Sequence, residues 1–387
     1  MPEQRTAAPA ASAGELLSAY RPGDAFFSTA TGALHGTGAL HTLDRIDDLP
    51  ATLADAGPGA VAMGAIPFDT SRPAHLVVPR TVRRAPSPTE GPTPENRWRP
   101  LGEGWRVTPV PEPEAHVAAV ERAVKLMADD AELRKVVLAR SLRVEGDEPI
   151  DVATVLANLV WRDPTAFVFA TDLPERDSGT RTLIGASPEL LVAKSGREVL
   201  SNPLAGSAPR SADPTKDQRN AVDLLTSAKD RHEHAVVVEA VAESLRPFCR
   251  TLSVPAEPEL VKTATMWHLS TRVNGELIDH DVPVHTLAAA LHPTPAICGT
   301  PTGRAFDTIT DLEPFDRGFY TGAVGHSDAR GDGEWVVTIR CADVAGTTVD
   351  LFAGGGVMPE SDPEAELAET SAKLRTLLLA LGVNGTV

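Results

Sequence analysis

Between residues 318 and 357 the chain reads GFYTGAVGHS, EWVVTIRCADV and TTVDLFAGGGV, apolar runs separated by gaps of hairpin length such as GHSDARGDGEW and ADVAGTTVD. Gaps that short leave no room for the crossover a parallel pair needs, so these strands must pair antiparallel. The same kind of run recurs upstream, in AVAMGAIPF, HLVVPR, KVVLARSLRV, AFVFAT, TLIGASPELLVAK, EVLSNPLAG and TATMWHLSTRV. Helical spacing interrupts them. Val117, Val120, Val124 and Met127 lie on one face, DVATVLANLVW predicts a second helix, and one long helix is expected over 217–246. A last helix is predicted over 363–381, with Asp362 as N-cap, Pro363 at its first position and Gly382 as its stop. Residues 1–13, rich in Ala, Pro and Ser and without periodicity, read as a disordered tail. Residues 81–114 read as a long Pro- and Gly-rich loop at the seam of a variable N-terminal part.

A chain of 387 residues, 42% of them hydrophobic, is long enough to bury a large core. Its 36 basic against 53 acidic residues leave −17, which speaks against nucleic-acid backbones and against anionic lipid surfaces. No run of 18 apolar residues is present, and the start lacks the pattern of a secretory signal. Three scattered cysteines support neither a disulfide framework nor a zinc site. The expectation is a cytoplasmic protein. Of the 36 basic residues only seven are lysine and 29 are arginine. Where a cation alone suffices this sequence writes Arg, so each Lys raises the question of an amine that must lose its proton.

In SAKDRHEHAVVVEAVAESLRPF a helical projection puts Glu233 on the face of Val237, Ala240, Val241 and Ser244, with Asp230 one turn earlier. Glu239 and Glu243 take the opposite face. A carboxylate aimed at a core costs several kcal/mol unless it meets a cation. A buried salt bridge accounts for it as well as a site does. His232 and His234 are two apart and share no face, so HEH is not a zinc pair. In PEAELAETSAKLRTLLLALG, Glu366, Glu369 and Lys373 border the buried stripe. Alone this reads as an i,i+4 ion pair at the core rim. Two helices that both aim acids inward point instead to a shared divalent ion, and few hard oxygen ligands describe Mg²⁺.

Two glycine-rich segments, NPLAGSAPR and FAGGGVMPE, are expected as turns whose amides could receive an anion. Neither is a nucleotide-binding pattern. Lys135 opens the apolar run KVVLAR, and Glu189 lies in LIGASPELLV. Apolar surroundings disfavour the charged form of either group, as a general base and a general acid require. A strand-edge lysine snorkelling to water is the plainer alternative.

Taken in order, KVVLAR, LIGASPELL, PLAGS, KDRHEH, HPTPAICG, FYTGAVG, WVVTIRCADV and FAGGGV…ESDPEAELAETSAKL closely resemble the chorismate-utilising enzymes, the anthranilate synthase component I-like superfamily, and within them the isochorismate synthases. The resemblance runs from about residue 115 to 381. It implies a single α+β domain over 14–387, with a less family-like part at 14–114 and a catalytic core at 115–381. Two large antiparallel sheets would pack face to face with helices outside. It further implies that chorismate is bound through Mg²⁺ and becomes isochorismate by water addition at C2 and loss of the C4 hydroxyl, for siderophore or related metabolism.

By resemblance, Lys135 is the base that activates water and Glu189 the acid that protonates the leaving hydroxyl. Glu233 and Glu369 hold the metal, with Asp230 and Glu366 near it. Arg340 and Lys373 hold the other carboxylate, and Gly206, Ser207, Gly354 and Gly355 form backbone turns around the substrate. The run Gly354–Gly356 departs from the family in lacking a central Ala. The chain is taken as a monomer without an obligatory glutamine amidotransferase, because Lys135 stands where the ammonia-using anthranilate enzymes have Gln. Salicylate synthases, which eliminate pyruvate from isochorismate, share the lysine but carry a different stretch where this chain has CGTPTG. A catalytically inactive binding protein on the same scaffold would be expected to lose one of Lys135, Glu189, Glu233 or Glu369.

Overall fold

The computed structural model describes residues 3–89, 98–130, 132–174 and 179–383. Among these, eighteen strands form one hydrogen-bonded sheet and three more form a small one, with nine α-helices around them. The expected antiparallel pairing holds throughout, except where Arg5–Thr6 runs parallel to His75–Ala85. The expected two separate sheets are one continuous ladder. From Lys135–Glu145 it passes through Thr348–Val357, Cys341–Ala345, Arg181–Ser187, Phe167–Leu173, Ala25–Thr29, Gly32–Leu43 and His75–Ala85. It continues through Val61–Ile66, Ala323–Asp328, Gly333–Val337, Leu190–Ser195, Glu198–Asn202 and Val273–Leu277.

The ladder folds back on itself. One buried cluster draws almost wholly on strands far apart in this order, among them Phe27, Met63, Phe169, Leu190, Val336 and Cys341. Twist accumulated over so many strands bends a sheet until its own faces meet. Helices cover the outer faces. Ala13–Ala19, Val152–Arg162 and Pro363–Leu381 pack over one region, Leu49–Ala56, Ala228–Leu245 and Val284–Leu291 over another, and Pro113–Asp129 with Thr302–Leu312 over a third.

Three further expectations need correction. The tail expected to be disordered at 1–13 is partly ordered: Arg5–Thr6 pairs on the sheet, Gln4 bonds to Val61 and Pro79, and Ala10 is buried. Backbone pairing, which needs no side-chain periodicity, orders a segment whose composition reads as a linker. The loop expected over 81–114 contains the end of His75–Ala85 and the strand Arg106–Val110; residues 90–97 lie outside the described set. The single helix over 217–246 is two, Pro214–Thr226 and Ala228–Leu245. Ser227 leaves helical geometry between them, and its Oγ accepts from the Asp230 N–H at 3.2 Å. The last helix has the predicted bounds: Asp362 accepts from Ala365 N–H, and Gly382 closes it at φ 78°.

Candidate active site

Lys135 is the first residue of Lys135–Glu145, a strand flanked by Gly299–Thr300 and by Thr348–Val357. Its side chain is fully buried, and Nζ lies 2.9 Å from Glu233 Oε1, an ion pair rather than an aligned hydrogen bond. Sequence reasoning placed Lys135 in apolar surroundings and missed this carboxylate. Glu233 does face inward from Ala228–Leu245, while Glu239 and Glu243 are exposed, as the projection requires.

Opposite, the last helix presents Glu366, Glu369 and Lys373. Glu366 is 2% exposed; its Oε1 accepts from Lys229 Nζ at 2.8 Å and Ser361 Oγ at 2.7 Å, and its Oε2 has no partner. Burial, and then the nearby Glu369, push the Glu366 pKa up. Glu369 Oε1 accepts from Ser207 Oγ at 2.8 Å and pairs with Lys373, whose Nζ also donates to Gly354 O at 2.9 Å. Burial works to raise the Glu369 pKa, but Lys373 and the Ser207 hydroxyl outweigh it and hold it below the ordinary value. Asp230 is raised, first by burial.

Glu189 sits in the break between Arg181–Ser187 and Leu190–Ser195, where Pro188 interrupts the expected single run. It is 3% exposed, and its Oε1 accepts from the Leu204 N–H at 3.3 Å. Burial pushes its pKa up to about 7, against the opposing pull of that hydrogen bond and of Lys135, Arg340 and Lys373. Arg340, buried at φ 50°, directs Nη2 to within 3.4 Å of His268 Nε2. Burial, then Arg340 and Lys373, keep His268 neutral, its pKa well below the ordinary value.

One cavity gathers Glu189, Gly206, Ser207, Glu233, Arg340, Gly354, Glu369 and Lys373. Lys135, Asp230, Glu366 and Gly355 are not among its lining residues. A much larger cleft, about 1180 Å³, opens elsewhere beside Phe27, Arg197 and Glu276, and holds none of these groups. Among the lining residues that sequence reasoning missed are His268 and Tyr320. The available signals were a histidine inside an apolar strand and one of only two tyrosines in the chain.

The glycine segments are strands, not the turns expected. Leu204–Pro209 belongs to the small sheet, with Gly206 at φ 77° in an irregularity of its pairing. Gly354, Gly355 and Gly356 pair in register with Ala139, Leu138 and Val137. What these glycines provide is room. A Cβ on Gly354 would lie 2.9 Å from the Tyr320 hydroxyl, on Gly355 2.8 Å from Glu366 Oε2, and on Gly356 2.1 Å from Glu233 Oε1 and 2.9 Å from Lys135 Cε. Gly356→Ala is therefore expected to drive Lys135 and Glu233 apart. It should lower turnover at least about tenfold and stability by about 1–3 kcal/mol, measured by initial rates and urea unfolding. A wild-type rate would show that the ion pair does not depend on that space.

Residues 100–382 match the family model described as chorismate binding enzyme. This chain is a member of the chorismate-binding enzyme family. It is 48% identical to isochorismate synthase DhbC of Bacillus subtilis, over 96% of this chain and 97% of that one. It is 40% identical to the vibriobactin-specific isochorismate synthase of Vibrio cholerae, over 92% and 91%. The solved DhbC structure from Bacillus anthracis superposes with a TM-score of 0.89 at 45% identity, covering 96% of this chain and all of that one. Anthranilate synthase component I from Streptococcus pneumoniae, at 20% identity and TM-score 0.69, shares the fold. The match to DhbC over 96% of this chain takes in much of the N-terminal part that motif reading took as less family-like. This fits the place of Ala25–Thr29, Gly32–Leu43 and Val61–Ile66 in the middle of the ladder.

Proposed function

We infer that this member of the family is an isochorismate synthase, an isomerase acting on chorismate. The observation that carries the reading is that Glu189, a carboxyl protonated up to about pH 7, shares one cavity with Glu233, the carboxylate paired to Lys135. An acid lining this small space, with an amine directly behind its facing carboxylate, suits a reaction that removes one hydroxyl and adds another. Lys135 takes a proton from the water that attacks C2. Glu189 gives its proton to the hydroxyl leaving C4, so one water enters, one departs, and the product is an isomer of the substrate. Arg340 and Lys373 hold the other substrate carboxylate, and Ser207 orients Glu369. The product feeds 2,3-dihydroxybenzoate or salicylate-type metabolism.

The donor set suits Mg²⁺. Glu233 and Glu369 offer hard oxygens from facing helices, with Asp230 and Glu366 behind them, and Glu366 Oε2 is a buried carboxylate oxygen lacking a partner. The bound ion supplies the positive charge that lets these acids hold a substrate carboxylate. The chain's own lysines and arginine do the remaining work.

The decisive experiment incubates the protein with chorismate and Mg²⁺ and separates the products. Isochorismate alone is expected. Salicylate with pyruvate would move the reading to a salicylate synthase, and an aminated product on adding ammonia would move it to the anthranilate branch. Exhaustive chelation should abolish turnover and Mg²⁺ restore it, and Glu233→Gln or Glu369→Gln should each remove most activity. Full activity after chelation would sink the metal assignment.

A further inference from the structure

Lys229 has no task in the reaction above, yet its side chain crosses from the first turn of Ala228–Leu245 to the last helix, where Nζ donates to Glu366 Oε1 at 2.8 Å. Its charge also reaches Glu233 and Glu369. The site sets four carboxylates, Asp230, Glu233, Glu366 and Glu369, against three ammonium groups. Each ammonium sits on a different acid: Lys135 on Glu233, Lys229 on Glu366, Lys373 on Glu369. Acids this crowded on two facing helices repel unless cations stand among them. Lys135 and Lys373 are 0% and 10% exposed, whereas Lys229 is 32% exposed and has a path to water. It is the one ammonium that can leave without breaking the core.

We propose that Lys229 is a tethered counter-cation, holding the Glu366 side of the acidic cluster when no divalent ion is bound and competing with that ion for the same negative charge. The proposal rests on the Mg²⁺ reading above. On entry of the ion, Lys229 gives up Glu366 and turns toward solvent, and its long flexible stem suits that exchange. A simple structural brace would behave in the opposite way, since losing it would loosen Glu366 and weaken metal binding.

The test measures binding of Mn²⁺, as a spectroscopic probe for Mg²⁺, by electron paramagnetic resonance. Thermal unfolding with and without Mg²⁺ accompanies it, using wild type, Lys229→Met and Lys229→Arg. Lys229→Met is expected to bind Mn²⁺ about tenfold more tightly, because a competing charge is gone. It should melt several degrees lower than wild type in EDTA and recover when Mg²⁺ is added. Lys229→Arg should resemble wild type in both. If Lys229→Met fails to fold without metal, Lys229→Gln, which keeps a polar reach to Glu366, serves in its place. Equal or weaker Mn²⁺ binding by the neutral variants would overturn the proposal. Wild-type protein that binds no Mn²⁺ would instead overturn the metal reading itself, a distinct result.

Discussion

Lys135→Arg is expected to lower isochorismate formation by at least about 10³-fold while the fold persists and chorismate still binds. Arginine keeps the positive charge opposite Glu233 but does not release a proton at working pH, so it cannot take one from water. The geometry sharpens the test. Lys135 is fully buried against Glu233, and the space beside its Cε is open only because residue 356 is glycine. The larger guanidinium must therefore remain in the pair, where charge is its only contribution. Circular dichroism, thermal unfolding and calorimetric binding of chorismate separate loss of chemistry from loss of structure. An active Lys135→Arg enzyme would show that the side chain supplies charge alone and that water is activated by another group.

For Glu189→Gln, kcat should drop by roughly 10²–10⁴ with KM little changed, because the amide keeps the shape and loses the transferable proton. The same carboxyl sets two pH dependences. Turnover that requires its protonated form should decline as pH rises through about 7. The effect on stability has a definite sign. Burial raises the folded-state pKa from the ordinary 4.5 to about 7, so between these values the folded state binds more protons than the unfolded chain. Stability contributed by this group is therefore present at low pH and lost progressively as pH climbs through that window, by about 3 kcal/mol in all. Glutamine has no such dependence. At pH 8 Glu189→Gln should be nearly inactive yet more resistant to urea than wild type. A variant that raises only KM would make Glu189 a binding residue. One no more stable than wild type at pH 8 would mean that its carboxyl meets little desolvation cost.

Periodicity and short gaps carried much of the fold. The antiparallel pairing of 323–357 and the bounds of the last helix follow from local rules: hairpin-length gaps, a cap, a proline and a terminal glycine. The inward aim of Glu233 and Glu366 was legible for the same reason, since a helix assigns faces by angle alone. Local rules fall silent where partners are distant in sequence. Ordering of residues 4–10 depends on an edge of His75–Ala85 that no pattern within the segment announces. Ser227 splits an otherwise continuous helical pattern because its backbone and hydroxyl cap both pieces, an outcome that periodicity does not encode.

The site divides along the same line. Residue types in unusual settings singled out Lys135, Glu189, Glu233 and Glu369 as candidates, and the family resemblance supplied the roles proposed for them. The electrostatics depended on what the chain brings near them from 72 to 137 residues away. Glu233 meets Lys135, Lys229 meets Glu366, and His268 meets Arg340. The purpose of the glycine run was likewise hidden. In sequence Gly354–Gly356 reads as a flexible turn, and only packing shows a strand stripped of side chains so that Tyr320, Glu366 and Glu233 can lie against it. Burial and Coulomb interaction act through space, so a linear sequence determines which groups can titrate or bind, and the tertiary structure decides which of them face one another.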